Sequence, residues 1–218
     1  MSSTKNFPLW TWAALLTVVV LLWDSVALWP VRVLIVMFHE LSHAGAAWLT
    51  GGRVLEIGLT ANEGGHTLTQ GGSRFLILNA GYLGSLAFGM ALLATAKSPH
   101  IARGVTATLG LSLLTITLGY VRPFLSFGFI YSTAAAATLT AIGLKTTTET
   151  CRFTLRFLGL TSVMYALFDI RSDVFRLDGV QTDATMLAAE TGIPSIVWGI
   201  GWLSISAIAL WRARSRLF

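Results

Sequence analysis

The stretch Val33-Leu-Ile-Val-Met-Phe-His39-Glu40-Leu41-Ser42-His43-Ala-Gly-Ala-Ala-Trp48 decides how this chain is read. It is an apolar run long enough for a membrane helix, with a His-Glu-x-x-His motif inside it. On a helix, His39 and His43 lie four residues apart and share one face. That spacing lets two imidazoles hold one zinc ion, with Glu40 beside them to take a proton from water. Two histidines on a helix can also serve as polar glue between helices, or belong to a heme or proton site. The flanks are apolar, however, and burying two imidazoles and a carboxylate in hydrocarbon is costly. The cluster therefore needs a partner, and a metal is the simplest one.

The composition agrees with a membrane setting. Of 218 residues, 54% are hydrophobic and only 11% are charged, and the mean hydropathy is +0.70. Soluble domains carry about 25% charged residues. The expectation is one integral-membrane unit over residues 1–218, multi-pass, in the plasma (cell) membrane. The net charge of +5 does not point to nucleic acid. The basic residues are scattered at the ends of apolar runs and at the C-terminus, where membrane-protein loops place them. The partners expected are the lipid bilayer, a transmembrane protein substrate and a membrane protein complex. The single cysteine, Cys151, excludes an internal disulfide and a cysteine-based zinc site. Lys5 is the single charged residue before the first apolar stretch, which reads as a retained helix and not a cleaved signal peptide.

Working outward from the motif gives an all-α polytopic membrane protein of six or seven transmembrane helices, with a β-hairpin after the zinc-motif helix. The spans are expected at about 9–28, 31–50, 74–96, 101–120, 124–144, 150–170 and 195–211. Trp29-Pro30 starts the motif helix and Gly51-Gly52 ends it. Residues 53–72 change character. Arg53–Thr60 has strand-like composition, Asn62-Glu63-Gly64-Gly65 is a turn signal and His66–Gln70 alternates again. Glu63 and His66 are read as turn residues. An exposed hairpin edge cannot face lipid, so protein must cover it or it must line a wet cavity. It is either an edge that accepts an extended substrate or a plain connection. The span at 74–96 carries Asn79-Ala-Gly81-Tyr82-Leu83-Gly84-Ser85, small residues that allow close helix packing. Asn79 is placed to hydrogen-bond across a helix interface or toward the site.

A zinc site of this kind needs a third protein ligand and keeps a fourth position open. The one dense source of carboxylates is the segment from Asp169 to Asp183. Asp169 follows directly on an apolar run and is the leading candidate. Asp173, one helical turn on, is second, as a ligand or as a partner of a ligating histidine. Asp178 and Asp183 are the remaining alternatives. Asp183 also fits the N-cap of a short helix ended by Gly192 and Pro194.

With these features in hand, the chain resembles the site-2 protease (M50) family of intramembrane zinc metalloproteases, and more closely its compact M50B-like branch. The resemblance rests on His39-Glu40-Leu41-Ser42-His43-Ala44, on the glycine-rich hairpin and on Ala80-Gly81-Tyr82-Leu83-Gly84-Ser85. It rests also on Tyr165-Ala-Leu-Phe-Asp169-Ile-Arg-Ser-Asp173, with Thr182-Asp183-Ala184 and Thr191-Gly-Ile-Pro194 after it. The family's Asn-x-x-Pro-x-Pro-x-Leu-Asp-Gly motif is absent, and Leu177-Asp178-Gly179 keeps only its tail. The resemblance implies a Zn2+-dependent endopeptidase that cuts within or near the membrane, with Glu40 as general base and His39, His43 and an aspartate as metal ligands. The alternative is a non-proteolytic metal-binding scaffold or accessory subunit of a larger membrane complex.

Overall fold

A computed structural model describes residues 9–174 and 181–217. In chain order the elements are α1 (Leu9–Leu21), α2 (Trp29–Leu49), β1 (Arg53–Leu59), β2 (Gly65–Gln70), α3 (Arg74–Thr95), α4 (Pro99–Tyr120), α5 (Phe127–Lys145), α6 (Thr148–Val174), α7 (Asp183–Thr191) and α8 (Ser195–Leu217). Among the described residues, five helices, α3, α4, α5, α6 and α8, are long and apolar enough to cross a membrane. The other two expected spans differ for separate reasons. The helix expected over 9–28 stops at Leu21 after 13 residues, and the chain turns from there to Leu28. The motif helix α2 has 21 residues, but Arg32 and the polar motif dilute its apolar character.

The fold is built around α2. It packs against α3, both strands, α5 and α6. Val33, Ile35, Met37, Phe38, Ala44 and Ala47 are fully buried. A helix that is apolar nearly all round belongs in a core, and this enclosure keeps the His-Glu-x-x-His residues away from lipid. The closest neighbour on the motif side is α3, where glycine makes the approach possible. A Cβ at Gly84 would fall 2.3 Å from Cβ of Ser42. On the far side, α4 and α5 form a tightly packed pair, with Gly143 against the backbone of Ala107.

The hairpin falls where the sequence places it. β1 and β2 pair antiparallel from Arg53↔Gln70 to Leu59↔Gly65, with one irregularity between Val54 and Glu56. The outer edge of β1 is covered: Ile57 bridges to Val121, and its carbonyl accepts from the Arg122 N–H at 3.1 Å. Glu63 does sit in the turn, at a φ of 63°. His66 lies instead in β2, opposite Gly58. The turn is tied to the start of α2. Arg32 donates to both carboxylate oxygens of Glu63, at 2.7 and 2.6 Å, and Trp29 Nε1 donates to the Ala61 carbonyl at 2.8 Å.

The short helix α7 closes the site end of the bundle. Thr182, and not Asp183, is its N-cap: its hydroxyl accepts from the Thr185 N–H at 3.3 Å. Gly192 ends it in the left-handed region at φ 72°. Ala184 and Leu187 are buried among Leu78, Tyr82, Ile170 and Trp202, so α7 is seated on α3, α6 and α8. Asn79 bonds across a helix interface, its Oδ1 accepting from Trp202 Nε1 at 2.8 Å.

Candidate metal centre

His39 and His43 project from α2 toward α3 and α7. Their Nε2 atoms each lie 3.1 Å from one oxygen, Oδ2 of Asp183. One ligand atom from each of the three residues fits within a span of 4.8 Å. The side chains are only 12%, 8% and 9% exposed, in that order. Two imidazole nitrogens and one carboxylate oxygen are the donor set of a zinc site with one position open. Adjacent donors on a tetrahedral zinc are about 3.3 Å apart for bonds of about 2.0–2.1 Å. The donors present therefore fit the ion in chemistry, and the two histidine-to-carboxylate distances fit its spacing. Burial works against the charge on Asp183, but the facing rings of His43 and His39 outweigh it and hold this carboxyl below the usual carboxylate range.

Two of the three candidate ligands, His43 and Asp183, are aimed by something behind them. Nδ1 of His43 lies 2.7 Å from the Ile77 carbonyl. A carbonyl only accepts, so Nδ1 carries the hydrogen and Nε2 is the nitrogen offered to a metal. Asp183 is the first residue of α7, and because Thr182 takes the capping role its carboxylate is free to face the histidines. A carboxylate at a helix N-terminus is also favoured by the helix dipole. Space for the cluster comes from Gly81 on α3. A Cβ there would fall 2.3 Å from Nε2 of His39 and 2.6 Å from Oδ2 of Asp183.

Glu40 is buried at 4% exposure, next to the histidines on α2. Its Oε2 accepts from the Thr67 hydroxyl at 2.7 Å, and the same hydroxyl lies 3.0 Å from the Glu40 carbonyl. On the other side Gly65 lets the hairpin backbone close in: a Cβ there would meet Oε1 at 2.3 Å. Strand β2 thus lies directly against Glu40. Glu40, the two histidines and Asp183 all face a cavity of about 720 Å³, lined mainly by the hairpin, α2, the start of α3, the end of α6 and the start of α7.

The other aspartates divide as follows. Asp169 lines the same cavity, but its Oδ2 faces Nδ1 of His39 at 3.6 Å, the ring nitrogen opposite the one that meets Asp183. Asp173 accepts from the Tyr82 hydroxyl at 2.7 Å. Asp178 lies outside the described residues. Among the described residues, the carboxylate grouped with both histidines is Asp183, with Asp169 behind His39. Thr67, Ile77, Gly65 and Gly81 take part in the site without having been singled out as site residues by the sequence. For Gly81 the signal was the small-residue run in α3, read there as helix packing and as part of the family resemblance.

Fold and site together describe a multi-pass helical membrane protein with a candidate metal centre at its core. A family model described as Peptidase M50B-like matches residues 12–213, nearly the whole chain, and the chain belongs to that family. Proteins of the M50 group are zinc peptidases in general. No curated protein and no solved structure matches the chain.

Proposed function

We propose that this protein is an intramembrane zinc metalloendopeptidase of the cell membrane that hydrolyses peptide bonds of membrane-embedded proteins. One observation carries the reading: Glu40 is held beside the His39, His43 and Asp183 group, and all four open onto one polar cavity inside a helical bundle. A zinc ion held by those three residues would supply Lewis-acid chemistry, polarising the scissile carbonyl and acidifying water. The chain's own residues do the rest. Glu40 takes a proton from the attacking water and returns it to the leaving amine. Thr67 fixes the carboxylate for both transfers. The cavity admits the water that hydrolysis consumes.

The hairpin has a matching part. A helical substrate keeps its carbonyls in hydrogen bonds and must unwind to be cut. The outer edge of β1 is closed by Val121 and Arg122, whereas β2 lies at the cavity beside Glu40. An extended segment paired along β2 would bring its peptide bonds past that carboxylate.

The test compares membranes from cells producing the wild-type protein and Glu40→Gln, by labelling new protein N-termini across the membrane proteome. New termini within or next to transmembrane segments, present with wild type and absent with Glu40→Gln, support the proposal. Identical sets from both proteins would overturn it and favour the scaffold reading.

A further inference from the structure

We propose that Asp169 is a positioning residue for the metal centre: it accepts the Nδ1–H of His39 and so fixes which nitrogen of that ring faces the ion. This inference rests on the metal reading above.

Proton bookkeeping leads to it. If His39 and His43 held a metal through Nε2, with Asp183, neither Nε2 would carry a hydrogen. Each imidazole is then neutral and carries its hydrogen on Nδ1. For His43 that hydrogen goes to the Ile77 carbonyl at 2.7 Å. The Nδ1 of His39 is buried, and among the described residues it makes no hydrogen bond. Asp169 Oδ2 faces it at 3.6 Å, a few tenths of an ångström beyond hydrogen-bond length. Tyr82, whose ring stands edge-on to His39 at 5.3 Å between centroids, gives its hydroxyl hydrogen to Asp173.

The placement of Asp169 follows from α6. Its Ile170 is buried in the cluster that seats α7, so the helix is pinned there. Asp169 and Asp173, one turn apart, therefore face the same cavity. The two sides of the centre are matched. A backbone carbonyl orients His43, and a carboxylate orients His39. Removing such a partner costs about 10–100-fold in metal affinity without removing a ligand.

The experiment measures zinc stoichiometry and zinc affinity, the latter by competition with a chromophoric chelator. It uses the full-length protein in detergent, as wild type, Asp169→Ala, Asp169→Asn and Asp183→Ala. Cobalt(II) absorption serves as a second readout of the ligand set. Asp169→Ala is expected to bind one zinc per chain about 10–100-fold more weakly, with cobalt bands of wild-type intensity. Asp169→Asn, which keeps the shape and loses the charge, is expected to weaken binding about tenfold, and it decides the matter if the alanine variant does not fold. Asp183→Ala is expected to lose the ion and the cobalt bands. Wild-type affinity in both Asp169 variants would overturn the proposal. So would loss of the ion in Asp169→Ala with retention in Asp183→Ala, since Asp169 would then be a ligand. A wild-type protein that binds zinc but leaves no cleavage products would overturn the peptidase reading and leave this inference standing.

Discussion

At the residue scale, the centre depends on small side chains as much as on ligands. Gly81 leaves room for the meeting of His39 and Asp183. Gly81→Ala is expected to weaken zinc binding about tenfold or more, the scale seen when one supporting contact of a metal site is lost. Chelator competition measures it, with circular dichroism to check the fold. Thr67→Val removes the hydrogen bond to the Glu40 carboxylate. A bond to a charged group is worth roughly 1.5–3 kcal/mol, which converts to a loss of about ten- to a hundredfold in cleavage rate. Zinc content should be unchanged, so activity and metal assays on the same sample separate the two effects. His39, Glu40 and His43 were legible in the sequence because local helix geometry alone puts the two histidines on one face. Asp183 was legible only as one of the remaining alternatives, because it lies 144 positions from His39 and arrives through a long-range contact. Its place at a helix start also suggested a capping role, which Thr182 fills. Asp169 was the leading candidate for a ligand because it follows an apolar run, but that position does not say which nitrogen of His39 it meets.

At the element scale, the hairpin was legible from its strand-like run, turn signal and alternation, and its register follows. The tie at its tip was not, because Arg32 and Glu63 are 31 positions apart and neither stands out alone. Glu63→Ala leaves Arg32, whose side chain is 10% exposed, without that carboxylate. Amide hydrogen exchange over Arg53–Gln70 should then speed up about tenfold, equivalent to about 1.4 kcal/mol of local opening. The swapped pair Arg32→Glu with Glu63→Arg should recover part of the protection. Unchanged exchange in Glu63→Ala would show that the Trp29–Ala61 contact and the strand pairing hold the hairpin alone. The expected span over 9–28 was overlong because hydropathy registers apolar composition and does not register where a helix stops. The turns after Leu21 keep Val26 and Leu28 in the same apolar run.

At the scale of the whole molecule, the candidate ligands come from two elements far apart in sequence, so metal binding there would be linked to folding. An ion that binds only the folded chain stabilises it by about 2.7 kcal/mol at a hundred times its dissociation constant. Thermal unfolding in detergent should therefore shift upward with zinc and return with chelator, and Asp183→Ala should show no shift. Binding requires deprotonated ring nitrogens and so releases protons. Affinity is expected to fall as the pH drops and protons compete with the metal for the ring nitrogens, and to level off once those nitrogens are deprotonated. The most direct measurement is the metal content of purified full-length protein by mass spectrometry, for wild type, His43→Ala, Asp183→Ala and Glu40→Gln. One zinc per chain in wild type and in Glu40→Gln, with none in His43→Ala or Asp183→Ala, is the result expected of a centre built from His39, His43 and Asp183. A wild-type protein that takes up no zinc when it is supplied, or an Asp183→Ala protein that keeps its zinc, would contradict it.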